Sequence, residues 1–477
     1  MQIFYKPVPG VVGDCIPFYA DGRYHVFYLR DYRDKDSYGI GSPWHHVSTD
    51  DFVTFTDHGE ALSKETIDDQ DLTVATGSVV TDDDGLHHIF YTGINPYFRD
   101  EAHREQAILH ATSKDLISWT KVAGEVSYAD ESLYERHDWR DPFVYKDPDT
   151  GRYNMLVAAR TANGPASRRG CTALLTSDDL SNWTVEKPFY APGRYHGHEC
   201  PDLFRMGDWY YLVFSEYTTR TATRYAMSRS PHGPWLTPAD NLFDNRAFYA
   251  AKSAGDEDGR RYLFGWNPSK VGDSDDGDWQ WGGSLTVHEV VQNDDGTLGV
   301  RMPQTLTAAF GQPSRPELQL NGSGWVATPD GYHADSPSAY SEAYGEEMPS
   351  SCLIEGELTF NTNAGEAGVL LRVDAAGDTG YFLRFKPDRQ AVQFGKIGGY
   401  RDWYVDHMPE LDRPLDIQPG VPIRYRIVVD GTALVAYIND QVALSGRLYT
   451  RRPGRVGLYA DGASVTAAAP SLRRGVR

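Results

Sequence analysis

The chain has 477 residues, 46 Lys+Arg against 67 Asp+Glu, and a formal charge of −21. That length holds two to four domains at ~100–200 residues each, and a composition 40% hydrophobic and 13% aromatic supplies a core. The acidity speaks against nucleic acid and anionic membranes as partners, and no apolar run reaches the ~18 residues that span a bilayer.

The N-terminal stretch MQIFYKPVPGVVGDC has no basic segment followed by an apolar one, so no secretory leader is read there and a cytoplasmic protein is expected. Cys15, Cys171, Cys200 and Cys352 form no C-x-x-C pair, which favours reduced thiols over disulfides or a thiolate zinc site.

From residue 22 onward the chain repeats itself. A turn glycine precedes a short apolar strand in Gly22-Arg-Tyr-His-Val-Phe27, Gly85-Leu-His-His-Ile-Phe90 and Gly151-Arg-Tyr-Asn-Met-Leu156. The same offset recurs in Gly207-Asp-Trp-Tyr-Tyr-Leu212 and Gly259-Arg-Arg-Tyr-Leu-Phe264. A polar turn ending in an aromatic follows most copies, at Phe55, Trp119, Trp183 and Trp235, which are 64, 64 and 52 residues apart. Short aromatic-rich strands with Gly, Asp and Pro between them predict an all-β fold, and five such units predict a five-bladed β-propeller over residues 1–305. Residues 306–320 read as a linker. Residues 321–477 return to strand patterning without the blade signature and read as a C-terminal β-sandwich.

The first strand of each blade lines the axis of a propeller. Eight residues back from the turn glycine lie Asp14, Gly77 beside Ser78, and Glu199; ten residues back from Gly151 lies Asp141. Three carboxylates at one mouth of a funnel cannot all ionise freely, because like charges raise one another's pKa. One protonated acid and one carboxylate are the equipment of glycoside cleavage. Arg140 stands beside Asp141 and can bind a sugar hydroxyl or hold its neighbour ionised. His198 and Cys200 flank Glu199. Trp44, Trp266 and Trp281 are candidates to stack on a sugar face.

These residues resemble glycoside hydrolase family 32. Trp139-Arg-Asp-Pro142 is similar to the family's Arg-Asp-Pro motif and His198-Glu-Cys-Pro-Asp-Leu-Phe204 to its Glu-Cys-Pro motif. Thr76-Gly-Ser-Val-Val80 resembles its Ser-Gly-Ser segment, and Trp281-Gly-Gly-Ser-Leu285 the closing of its propeller. The resemblance implies a five-bladed propeller followed by a sandwich. It implies Asp14 as nucleophile, Glu199 as general acid/base and Asp141 as transition-state stabiliser. Arg140, Ser78, His198, Trp44 and Trp281 are read beside them as substrate-binding residues. A retaining reaction through a covalent fructosyl–enzyme needs its two carboxyls ~5–5.5 Å apart. The sequence also departs from the family. In Gly13-Asp14-Cys15-Ile16-Pro17 the flanking asparagines are absent, Leu29 stands where a glutamine is usual, and Gly395-Lys-Ile-Gly-Gly-Tyr-Arg-Asp-Trp403 replaces an Asp-Arg-Ser stretch.

No metal site or nucleotide cofactor is expected. The His45-His46 and His87-His88 neighbours point to opposite faces of a strand, and no phosphate-binding glycine loop is present. The reading is an exo-acting β-fructofuranosidase whose partner is a small oligosaccharide. Rival readings are a fructosyl transferase, an inverting arabinofuranosidase or xylosidase of the related propeller family, and a carbohydrate-binding propeller without chemistry.

Overall fold

The computed structural model describes residues 2–100, 103–320, 324–398, 409–449 and 454–476. Residues 399–403 of the divergent sandwich segment, and residue 321 at its expected start, lie outside these.

The fold is a five-bladed β-propeller followed by a β-sandwich. The innermost strands are Val11–Ala20, Thr73–Thr81, Tyr134–Lys146, Glu199–Met206 and Tyr249–Gly255. Each pairs antiparallel with the strand after it across the predicted hairpin. Four of the turn glycines, Gly22, Gly85, Gly151 and Gly259, have φ between 73° and 83° and open space where a Cβ would sit. Backbone conformation, not crowding, therefore selects glycine there. The second repeated signature is a turn closed by a side chain. Asp51, Asp115 and Asp179 each accept from two backbone N–H groups two and three residues on, and the next residue, Phe52, Leu116 or Leu180, takes φ near +62°. Blade five closes the ring on blade one through Val12 and Gly283.

The last blade strand ends at Arg301 and the first sandwich strand begins at Trp325. Between them, Phe310, Ser314 and Gln319 bridge to Gly475, Leu472 and Tyr344, so this stretch lies along the sandwich. The sandwich packs an eight-stranded sheet on a six-stranded one around a core that includes Leu358, Leu383, Phe394 and Ile427.

A second core runs across the domain junction and joins Phe264, Val287 and Val300 of blade five to Leu353, Val428 and Val435 of the sandwich. A buried polar latch crosses it. Asp244 accepts from His288 (3.1 Å) in blade five and from the Ser445 hydroxyl (2.6 Å) and amide (2.9 Å) in the sandwich. The Tyr437 hydroxyl meets the other His288 nitrogen at 2.9 Å. All four cysteines are free and buried. Among the described residues, no helix is long and apolar enough to cross a membrane.

Candidate active site

Each innermost strand carries one extra residue at the same level of the funnel, and that of blade three has a second, larger irregularity between Tyr134 and Trp139. The register shifts between Val12 and Cys15, Ala75 and Gly77, Arg140 and Phe143, Glu199 and Asp202, and Tyr249 and Lys252. A bulge of this kind bends the strand and re-aims its side chains. At three of them the first bulge residue is a non-glycine in the left-handed region: Asp141 (φ 58°), Cys200 (φ 51°) and Ala250 (φ 54°).

The three predicted carboxylates meet at these bulges, but not at one register position. Glu199 stands just before its bulge, Asp141 is the first residue within one, and Asp14 the second. Counting from the turn glycine hid the offset, because Gly22 is the second residue of its turn and Gly207 the first.

The contacts interlock around the mouth of the funnel. The Asp14 carboxylate accepts from the Thr76 hydroxyl (2.5 Å) and the Trp266 indole (2.8 Å). Glu199 accepts from Arg140 (3.1 Å) and from the Tyr249 hydroxyl (2.5 Å). The Trp266 and Tyr249 rings pack edge to face at 5.4 Å, so one aromatic pair holds both carboxylates. Asp141 accepts from the Cys200 amide (3.0 Å), a donor that the neighbouring bulge leaves out of its own ladder. The Cys200 thiol lies 3.8 Å from both Asp14 and Asp141. Arg140 also binds Asp138, which Arg160 supports from behind.

Electrostatics follow from this crowding. Burial, then the charge of Asp141, pushes Asp14 up to about 7, against the opposing pull of Thr76 and Trp266. Burial also raises Asp141, while Arg140 opposes the rise. Lys252, buried on blade five, donates to the Gly77 carbonyl at 2.9 Å. Burial lowers its pKa, and the surrounding acids oppose that fall.

Three predicted sugar-binding residues need correction. Trp44 is fully buried and donates to the Ala75 carbonyl (3.1 Å); its faces are packed in a core, so it presents no platform. His198 is fully buried, stacked on Phe214 at 4.4 Å and 3.3 Å from the Thr172 hydroxyl. It shapes the strand behind Glu199 and cannot touch a ligand. Ser78 is buried and accepts from the Val144 amide (2.9 Å), which ties blade two to blade three.

Trp281 fits the expectation better, at 40% exposed and 5.8 Å from the Trp266 ring. A Cβ on Gly13 would run into its ring, so Trp281 occupies the space beside Asp14 that any side chain at position 13 would need. Leu29 and Ile16, the other departures, are core residues.

Sequence reasoning missed Tyr249 and Thr76 as partners of the acids, and offered Trp266 only as one candidate platform, whereas its indole holds Asp14. The signal was available for Tyr249, which starts the innermost strand of blade five, where no acidic residue drew notice.

The comparisons with known proteins agree with this architecture. The family model "Glycosyl hydrolases family 32 N-terminal domain" matches residues 15–300. A raffinose invertase of Escherichia coli is 27% identical over 464 residues, 93% of this chain and 88% of that protein. A sucrose-6-phosphate hydrolase of the same organism is 25% identical over 92% of this chain and 87% of its own length. The solved structure of sucrose-6-phosphate hydrolase from Lactobacillus gasseri aligns with a TM-score of 0.76 at 19% identity, covering 100% of this chain and 93% of that one.

Proposed function

Because the chain belongs to glycosyl hydrolase family 32, and is a glycosidase on that ground, we propose that it releases the terminal fructosyl unit of short β-fructofuranosides with retention of configuration. The observation that carries the reading is the shared clamp on Asp14 and Glu199, in which Trp266 binds one carboxylate and Tyr249, packed on Trp266, binds the other. The relatives named for invertase and sucrose-6-phosphate hydrolase activity support fructosides as the substrate class.

In this reading Glu199, protonated, gives its proton to the glycosidic oxygen while the Asp14 carboxylate attacks the anomeric carbon. The bond to the leaving alcohol breaks and an ester to Asp14 forms. Glu199 then takes a proton from water, water attacks the same carbon, and Asp14 leaves as a carboxylate. Asp141, fixed by the Cys200 amide, holds sugar hydroxyls in the transition state. Trp281 closes the pocket beside Asp14. The free, buried thiols suit a reducing compartment, in keeping with a cytoplasmic enzyme.

The test is fructose release from sucrose, raffinose and short inulin- and levan-type oligosaccharides, with the first-formed anomer read by NMR. Retention, and loss of release in both Asp14→Asn and Glu199→Gln, is the expected result. Hydrolysis of an arabinofuranoside with none of any fructoside overturns it.

A further inference from the structure

The six-stranded sheet of the sandwich carries a buried apolar cluster on each face. Val369, Leu371, Leu383, Phe394 and Leu458 belong to the core between the sheets. Their strand neighbours Leu370, Phe382 and Tyr459, with Tyr344 and Ile397, form a separate buried cluster on the other face. An outward sheet face ordinarily alternates to polar residues. Here it forms the floor of a hollow of about 490 Å³, within the ~300–1,000 Å³ range of ligand sites.

Polar groups converge on the rim. Glu342, Glu366 and Asp461 line it with Arg384 and the half-exposed Tyr340. Glu366 accepts from Arg384 (3.2 Å), Lys386 (2.7 Å) and the Tyr459 hydroxyl (3.3 Å). Small residues keep the hollow open. A Cβ on Gly377 would lie 3.0 Å from the Tyr344 hydroxyl and 3.6 Å from Glu342. Gly368 separates Tyr459 from Arg384 in the register. Every lining residue belongs to the sandwich, so the hollow is not part of the funnel.

The geometry points to a second carbohydrate-binding site on the sandwich, which takes one neutral sugar ring of an oligosaccharide or polymer. Carboxylate acceptors set beside tyrosine hydroxyls and Arg384 suit a ligand rich in hydroxyls, which both donate and accept. Aromatic and aliphatic floor groups suit the C–H face of a ring. Three acids exclude anions, and Arg384 opposes an organic cation. The inference rests on the proposed function only in the choice of sugars to try first.

The test uses the full chain with Glu199→Gln to prevent turnover. Native electrophoresis through gels containing inulin, levan, arabinan or dextran reports binding as slowed migration. Slowed migration in at least one polymer is expected, and its loss in Tyr340→Ala and Glu366→Gln. No slowing in any polymer, or slowing that survives both substitutions, overturns the proposal. So does choline binding at Tyr340 with no polymer bound.

With Glu199 restored, Tyr340→Ala should leave sucrose hydrolysis unchanged while KM on the binding polymer rises by about tenfold, a modest share of what tethering gives. Because Tyr340 is exposed, its removal leaves the sandwich core intact even if Glu366→Gln does not fold. Absence of fructose release from every fructoside of the panel would sink the proposed function and leave the gel result standing.

Discussion

The propeller and the sandwich are built from the same element, an antiparallel sheet with one face in a core, yet they gather polar residues in different ways. In the propeller, acids spread over 186 residues meet because five strands carry the same backbone irregularity at the same mouth. In the sandwich the ladders around the hollow are mostly regular. Its polar groups lie side by side across neighbouring strands, as Glu366 opposite Asp461 and Glu342 opposite Tyr459. Convergence by bulge produces a deep, strongly coupled cluster, whereas convergence by register produces a shallow, salt-bridged one. The first arrangement suits bond breaking, where carboxyl pKa values must be displaced. The second suits holding a ligand.

The largest test of that contrast removes the coupled acids. Asp14→Asn and Glu199→Gln should each lower kcat/KM on sucrose by at least about 10³-fold, while Glu366→Gln in the sandwich should leave it unchanged. Equal losses from all three would abolish the distinction.

Next is the junction that joins the two regions. Asp244 is fully buried; burial disfavours its charge, yet His288 and Ser445 hold it below the usual carboxylate range. Asp244→Ala strands that partner set and should cost about 3–5 kcal/mol in denaturant unfolding. A folded pKa below the unfolded one contributes stability above the ordinary carboxylate range, lost as pH falls through the folded value. The gap between wild type and variant should therefore narrow at acid pH.

A finer test sharpens the account of the bulge cluster. Thr76→Val removes a hydrogen bond that pulls Asp14 down from a value already raised to about 7. The Asp14 pKa should rise further, and the acid limb of kcat/KM with it. If the carboxyl becomes about tenfold weaker as an acid, kcat/KM at about pH 6 should fall about tenfold, and the loss should shrink above about pH 8. A uniform loss at every pH would assign Thr76 to packing alone. The smallest effect is expected for Trp281→Ala at the rim, a rise of about three- to tenfold in sucrose KM with little change in stability, since the ring is 40% exposed.

The blades were legible because all five repeat a positive-φ turn glycine and three an aspartate-closed outer turn, both local in sequence. Asp14, Asp141 and Glu199 were legible as a set for the same reason. Their partners were not. The Tyr249 hydroxyl reaches Glu199 from the next blade, and nothing local marks a tyrosine as a donor. Trp44 misled because a tryptophan at the start of a strand reads the same whether its face meets sugar or a neighbouring blade. The sandwich hollow left no aromatic stripe, since its floor draws single residues from five strands between Tyr344 and Tyr459.

The ring closes where the strand bearing Asp14 meets blade five, at Val12 and Gly283, and there Trp266 and Trp281 reach back to Asp14 and Gly13. Asp14 thus lies on the first strand of the propeller to be made, and its supports lie on the last blade. During synthesis, a chain that has emerged only through blade four carries all three acids but not the tryptophan that holds Asp14 or the tyrosine that holds Glu199. The hydrogen bonds that clamp Asp14 and Glu199 therefore form only when the fifth blade closes the ring.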